Sequence, residues 1–157
     1  MALQFTLPCD ADAAQARLSD PDFVVQRAID LGELAADAEL VEDDEVVKLV
    51  QRRRAYRVLP NAVRLLVSAE MEMTVTETWS AFEDGSWSCE QIAEIEDQPI
   101  TIFGDIQLLP ADDGCLYRIE QRVRATILIL GPTIQNYVLG EAQKAMEREL
   151  GYLKQSL

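Results

Sequence analysis

At 157 residues the chain is long enough for one domain that buries roughly 70% of its unfolded surface, and it holds no run of 18 or more apolar residues that would span a bilayer. Its 28 acidic residues outweigh 14 basic ones, and the net charge of −14 argues against nucleic acid and anionic membrane surfaces as partners. There is no histidine, which removes Ser-His-Asp and Cys-His nucleophile systems, imidazole acid–base catalysis and histidine-containing zinc sites.

The opening residues, Met1 to Leu7, lack a basic leader region and turn polar within ten residues, so no signal peptide is expected. Phe5-Thr6-Leu7 predicts a short strand ended by Pro8. Asp10 to Leu18 reads as an alanine-rich helix capped by Asp10, and Ser19-Asp20-Pro21 starts a second helix that Gly32 ends. Two helices after one strand would cap one end of a sheet. Cys9, Cys89 and Cys115 are odd in number and have no CxxC spacing. They imply reduced thiols and a cytoplasmic protein.

From Leu34 onward the pattern alternates. Leu34, Ala36, Ala38 and Leu40 form one side of a strand, and Glu42 to Glu45 form a turn whose carboxylates lack the glycine and spacing of a calcium loop. Val46 to Val58 continues as a strand carrying Arg52, Arg53, Arg54 and Arg57, expected as exposed partners of acidic neighbours, with an anion site as the alternative. After Leu59-Pro60-Asn61, residues Ala62 to Ala69 predict a short helix or a lid segment across the sheet's mouth.

Four strands follow. Glu70 to Ala81 places Met71, Met73, Val75, Glu77 and Trp79 on one face. Trp87 to Ile95 places Trp87, Cys89, Gln91, Ala93 and Ile95 there. Ile100 to Leu108 lines the same side with Ile100, Ile102, Gly104, Ile106 and Leu108, and Pro110 to Gly114 turns the chain. Cys115 to Ile129 contributes Cys115, Tyr117, Ile119, Gln121, Val123, Ala125, Ile127 and Ile129. The spacing predicts an antiparallel meander. Gly131-Pro132 then breaks the run, and Thr133 caps a helix to Leu157. Its apolar stripe is Ile134, Val138, Ala142, Ala145, Leu150, Leu153 and Leu157, widened by Tyr137 and Met146. Glu141, Lys144, Glu147, Arg148, Glu149 and Lys154 form its charged back. Such a face has to lie against the concave side of the sheet.

Glu77, Gln91 and Gln121 intrude on the apolar inner register. They suggest an interior that holds water or the polar end of a guest, unless the pattern reaches solvent at strand ends or shifts at a bulge. An interior Glu77 would have a raised pKa and be the best candidate acid or base. Met71, Met73, Val75, Trp79, Trp87, Tyr117, Ile119, Tyr137 and Val138 complete the expected lining. The same side chains would also serve as plain core. No metal or cofactor is expected, and the oligomeric state is left open.

One strand, two short helices, a six-strand meander and a long C-terminal helix (β-α-α-β6-α) resemble the helix-grip fold of START lipid-transfer domains, polyketide cyclases and their relatives. The local runs Phe5-Thr6-Leu7-Pro8-Cys9-Asp10 and Leu18-Ser19-Asp20-Pro21-Asp22-Phe23 are similar to that superfamily's opening. More narrowly, the arginine-rich strand, Leu59-Pro60, the short helix and Thr76-Glu77-Thr78-Trp79 resemble an uncharacterised bacterial subfamily. Gln15-Ala16 departs from the tryptophan that relatives carry there. The resemblance implies an α+β helix-grip domain over residues 1–157 and no shared catalytic set. It implies a binding protein for a small apolar or amphipathic molecule: a lipid, isoprenoid or polyketide-like compound. A cyclase or dehydratase using Glu77, with Tyr117 as its partner, and an interaction module with a packed interior are the alternatives.

Overall fold

The structure is a computed structural model that describes residues 2–42, 45–65, 67–126 and 131–157. Seven antiparallel strands form one sheet in the order β1-β7-β6-β5-β4-β3-β2. They are β1 (Ala2–Leu7), β2 (Ala35–Glu42), β3 (Val46–Tyr56), β4 (Glu70–Ala81), β5 (Trp87–Ile95), β6 (Ile100–Ala111) and β7 (Gly114–Ala125). Strands β2 to β7 run as a meander, and β1 pairs with β7 to complete the sheet. The edge strand β2 turns Asp37, Glu39 and Glu42 to solvent.

Helices α1 (Ala11–Leu18) and α2 (Pro21–Asp30) follow β1. Asp10 caps α1 by accepting the Ala13 N–H at 2.7 Å, and Asp20 caps α2 by accepting the Asp22 N–H at 3.0 Å. Helix α1 packs on β5, β6 and β7, and α2 on β2 and β3. A one-turn helix α3 (Asn61–Arg64) interrupts the β3–β4 connection. The 26-residue α4 (Gly131–Ser156) lies along the sheet, chiefly against β7. The architecture is the expected helix-grip arrangement.

Several boundaries differ from the sequence reading. Gly131 and Pro132 form the first turn of α4 instead of a break before it, and Thr133 sits inside the helix instead of capping it. Proline fits there because a first-turn N–H has no intrahelical partner to lose. Strand β6 runs through Pro110 to Ala111. Its pairing with β5 ends at Leu108, so on that side Pro110 has no ladder bond to forfeit. Strand β3 stops at Tyr56 and β7 at Ala125. The expectations for Asp43, Asp44, Leu66, Ile127 and Ile129 lie outside the described residues. Gly114, at φ +145°, closes the β6–β7 hairpin beneath the end of β1, where any side chain would collide with the Leu7 carbonyl oxygen.

Register lays the inward side chains in rows across the sheet. One row is Val47, Trp79, Cys89, Ile106, Ile119 and Leu3, and below it lie Trp87, Leu108, Tyr117 and Phe5. These join Leu7, Ala11, Ala14 and Leu18 from the first helix corner, and Met146, Leu150 and Leu153 from α4, in one large core. Above them the rows end in smaller apolar groups, Val75-Ala93-Ile102 and Ile95-Ile100-Ala125. The sheet and helix are therefore densely packed at one end of the grip and less so at the other.

Candidate functional site

Three layers meet between the sheet and α4. The lowest is the packed core. Trp79, Tyr117 and Ile119 are almost wholly buried there, and Trp87 packs half-buried on its margin. The Trp87 indole N–H donates to Asp12 Oδ1 at 2.8 Å and so pins α1 to β5. The Tyr117 hydroxyl donates to Met146 Sδ at 3.6 Å, and burial raises its pKa well above the ordinary phenol value. Tyr117 is thus held by α4 through a methionine and makes no hydrogen bond to Glu77. The Trp79 indole N–H has no partner among the described residues.

The middle layer is polar. Leu49, Glu77, Gln91, Gly104 and Gln121 face one another on successive strands. Glu77 is 5% exposed and Gln121 8%, so both point inward as their register requires. Glu77 Oε1 accepts the Gln51 Nε2–H at 3.0 Å, and its Oε2 lies 4.0 Å from Cys89 Sγ. Gln51 Oε1 accepts from Arg53 Nε at 3.2 Å and Nη2 at 2.9 Å. Arg53 Nη1 in turn donates to Glu149 Oε1 at 2.7 Å, and Arg27 approaches Glu149 Oε2 at 3.6 Å. A chain of polar contacts therefore runs from β4 through β3 to α4 and α2.

The two carboxylates at its ends behave oppositely. Desolvation pushes Glu77 up to about 7, against the weaker pull of Arg27 and Arg53. Glu149 also pays desolvation, but Arg53 and Arg27 together outweigh it and hold the carboxyl at about 2. Gln121 Oε1 is sealed with no partner among the described residues, a state that costs about 1–3 kcal/mol when nothing fills it.

This layer corrects two expectations. Arg53 does not stand exposed with its neighbours: it shares the inward register of Leu49, Gln51 and Ala55, whereas Arg52 and Arg54 pair outside with Asp37 and Glu72. Glu149 does not belong to the charged back of α4, because it lies three residues from Met146 and four from Leu153, on the sheet-facing stripe. Those spacings were the available signal. Gln51 and Arg27 carried none beyond one position in a strand and one in a helix.

The upper layer is a groove of about 360 Å³ between α4, the ends of β4 to β6, and the β3–β4 connection. Met71, Met73, Ile95, Ile100 and Ile102 form its sheet side, Tyr137, Val138, Ala142 and Ala145 its helix side, and Leu59, Val63 and Val67 its roof; Glu141 and Arg148, expected on the charged back of α4, line it as well. At the rim, Arg57 donates to Glu33 Oε1 at 2.6 Å. Val58 and Leu65 stand 88% and 86% exposed in the connection above. Of the residues expected to line a cavity, the groove gathers Met71, Met73, Tyr137 and Val138. Val75 lies just beneath them, packed with Ala93 and Ile102. Glu77, Gln91 and Gln121 occupy the polar row below, and Trp79, Trp87, Tyr117 and Ile119 belong to the packed core. A wider hollow of about 810 Å³ on the outer surface is lined by Asp37, Arg52, Arg54, Glu72 and Glu94, whose arginines already have carboxylate partners.

The fold places the chain with START-like helix-grip proteins. It is similar to a STAR-related lipid transfer protein from Xanthomonas axonopodis, with 17% identity and a TM-score of 0.59, over 97% of this chain and 84% of that one. It is also similar to an uncharacterized protein from Rhizobium leguminosarum (11% identity, TM-score 0.60, covering 98% and 90% of the two chains) and to a conserved protein from Geobacillus kaustophilus (14%, 0.54, 99% and 91%). Such likenesses establish the fold. The chain itself belongs to the family described as protein of unknown function DUF2505, which matches residues 2–157. No curated protein matches it in sequence.

Proposed function

We propose that this protein holds a small apolar or amphipathic molecule (a lipid, isoprenoid or polyketide-like compound) in the groove between its sheet and α4, as one domain working in the cytoplasm. The observation that carries the reading is the groove: about 360 Å³, room for on the order of a dozen waters, walled by methionine, isoleucine, valine and tyrosine together with the charged Glu33, Arg57, Glu141 and Arg148. Methionine suits a wall that adapts to its guest. The lipid transfer protein of the same fold supports the reading, and the three free cysteines support a reducing compartment. Native mass spectrometry of protein purified from its own cells is expected to show a bound mass. An Ala142→Trp variant, which fills the groove from the helix side, is expected to lose it. A bound mass that persists in Ala142→Trp, or none in either protein, removes the reading.

A second reading, an acid–base enzyme of the cyclase or dehydratase kind acting on the same guest, draws on Glu77, the buried carboxyl brought to about 7. Turnover that survives in Glu77→Gln rules it out.

A further inference from the structure

The groove stops one strand repeat short of the polar row, and that row is incompletely satisfied. Ile102, on the groove wall, is two residues from Gly104 on the same face of β6, a distance of about 7 Å along the strand. Gln91 and Gln121 flank Gly104 in register. A Cβ on Gly104 would stand 3.1 Å from Gln91 Oε1, so the Gln91 carboxamide lies over the bare glycine, on the side of Gln121. Gln91 belongs to a central strand hydrogen-bonded on both edges and points inward, yet it is only half-buried. Its exposed area therefore opens into the space between sheet and helix. In the adjoining groove the helix side carries the small side chains of Ala142 and Ala145. Gln121, beside it, is sealed, with an unpartnered Oε1.

From this we propose that a guest reaching one strand repeat past Ile102 carries a neutral hydroxyl at its leading end, and that Gln121, reached past the half-open Gln91, is the residue that reads it. The inference rests on the groove being a binding site. A hydroxyl donates to Oε1 and accepts from an amide N–H, so it satisfies a carboxamide in either orientation. A carboxylate has no proton to give and meets the Glu77 carboxyl in the same row. The nearest cation of the network, Arg53, is already engaged by Glu149 and Gln51. Of the two arginines lining the groove itself, Arg57 is held by Glu33, while Arg148 lies on α4 among the groove's helix-side residues and not in the polar row. The sequence placed polar groups in this register, but the orphaned oxygen and the cover over Gly104 single out a donor-bearing, uncharged end.

The test is isothermal titration calorimetry of the full chain at neutral pH with octanol, octyl methyl ether and octanoate. Octanol is expected to bind roughly tenfold more tightly than the other two, and Gln121→Met to bring octanol down to the ether without changing the ether's affinity. Gln121→Met removes an unpartnered buried oxygen, and urea denaturation checks that the variant folds; Gln91→Met, with a smaller effect in the same direction, is the second variant. Equal binding of alcohol and ether, or equal losses for both in Gln121→Met, overturns the hydroxyl inference and leaves the groove standing. No binding of any of the three, or unchanged binding in Ala142→Trp, overturns the groove reading and this inference with it.

Discussion

The lower and upper halves of the grip are made from the same sheet and the same helix, yet one is solid and the other hollow. Strand alternation supplies inward apolar groups to both. The difference comes from what faces them. Below, α4 offers Met146, Leu150 and Leu153, and α1 adds Ala11, Ala14 and Leu18, so Trp79, Ile106 and Ile119 are sealed. Above, α4 offers Tyr137, Val138, Ala142 and Ala145, only the one-turn α3 reaches over the space, and a groove is left. Side-chain size along one helix thus decides where the protein packs and where it stays open.

The largest expected effect is a truncation in the solid half. Trp79→Ala should cost about 3–5 kcal/mol in urea denaturation, whereas Met71→Ala at the groove should cost under about 1 kcal/mol. Equal losses would break the comparison.

The belt between the halves gives the next effects. Glu149→Ala strands Arg53 and Arg27 without their carboxylate and should cost about 3–5 kcal/mol. The pKa of Glu149 is lowered in the folded state, so its stabilisation is present above about 4.5 and lost as pH falls toward 2. Denaturation between those values should show an acid limb that Glu149→Gln lacks.

Glu77 runs the other way. Its folded pKa is raised from 4.5 to about 7, so the wild type is most favoured below 4.5 and loses about 3 kcal/mol as pH rises through 7. Glu77→Gln should match the wild type at pH 4 and exceed it at pH 8 by up to that amount. A pH-independent difference would mean that the carboxyl is solvated.

The smallest expected effect on stability is the most informative for function. Ala142→Trp should leave the denaturation midpoint nearly unchanged while closing the groove to guests. A large loss of stability would mean that the groove's walls are already in contact.

How much of this was readable beforehand follows from what generates each feature. Strand faces were legible because period-2 alternation is local, and so were the inward positions of Glu77, Gln91 and Gln121. The Asp10 cap and the start of α2 at Ser19-Asp20-Pro21 were legible because they too are local, while the Asp20 cap itself came from the structure. Arg53 and Glu149 were misread because charge was taken as a sign of solvent. Their exchange of partners across 96 residues is a tertiary fact that neither segment announces alone. The groove was legible only as a possibility, since Trp79 and Met71 share one face of β4 and differ only in whether α4 and α1 reach them.

The acidic border of the sheet bears on something else, the protein's behaviour among its own copies. Asp37, Glu39 and Glu42 line β2, one of the two edge strands. A neighbouring molecule that tried to add itself there, antiparallel, would set these carboxylates against their own duplicates. That repulsion guards against edge-to-edge pairing of two copies. It fades in acid or concentrated salt, which is where such pairing should begin.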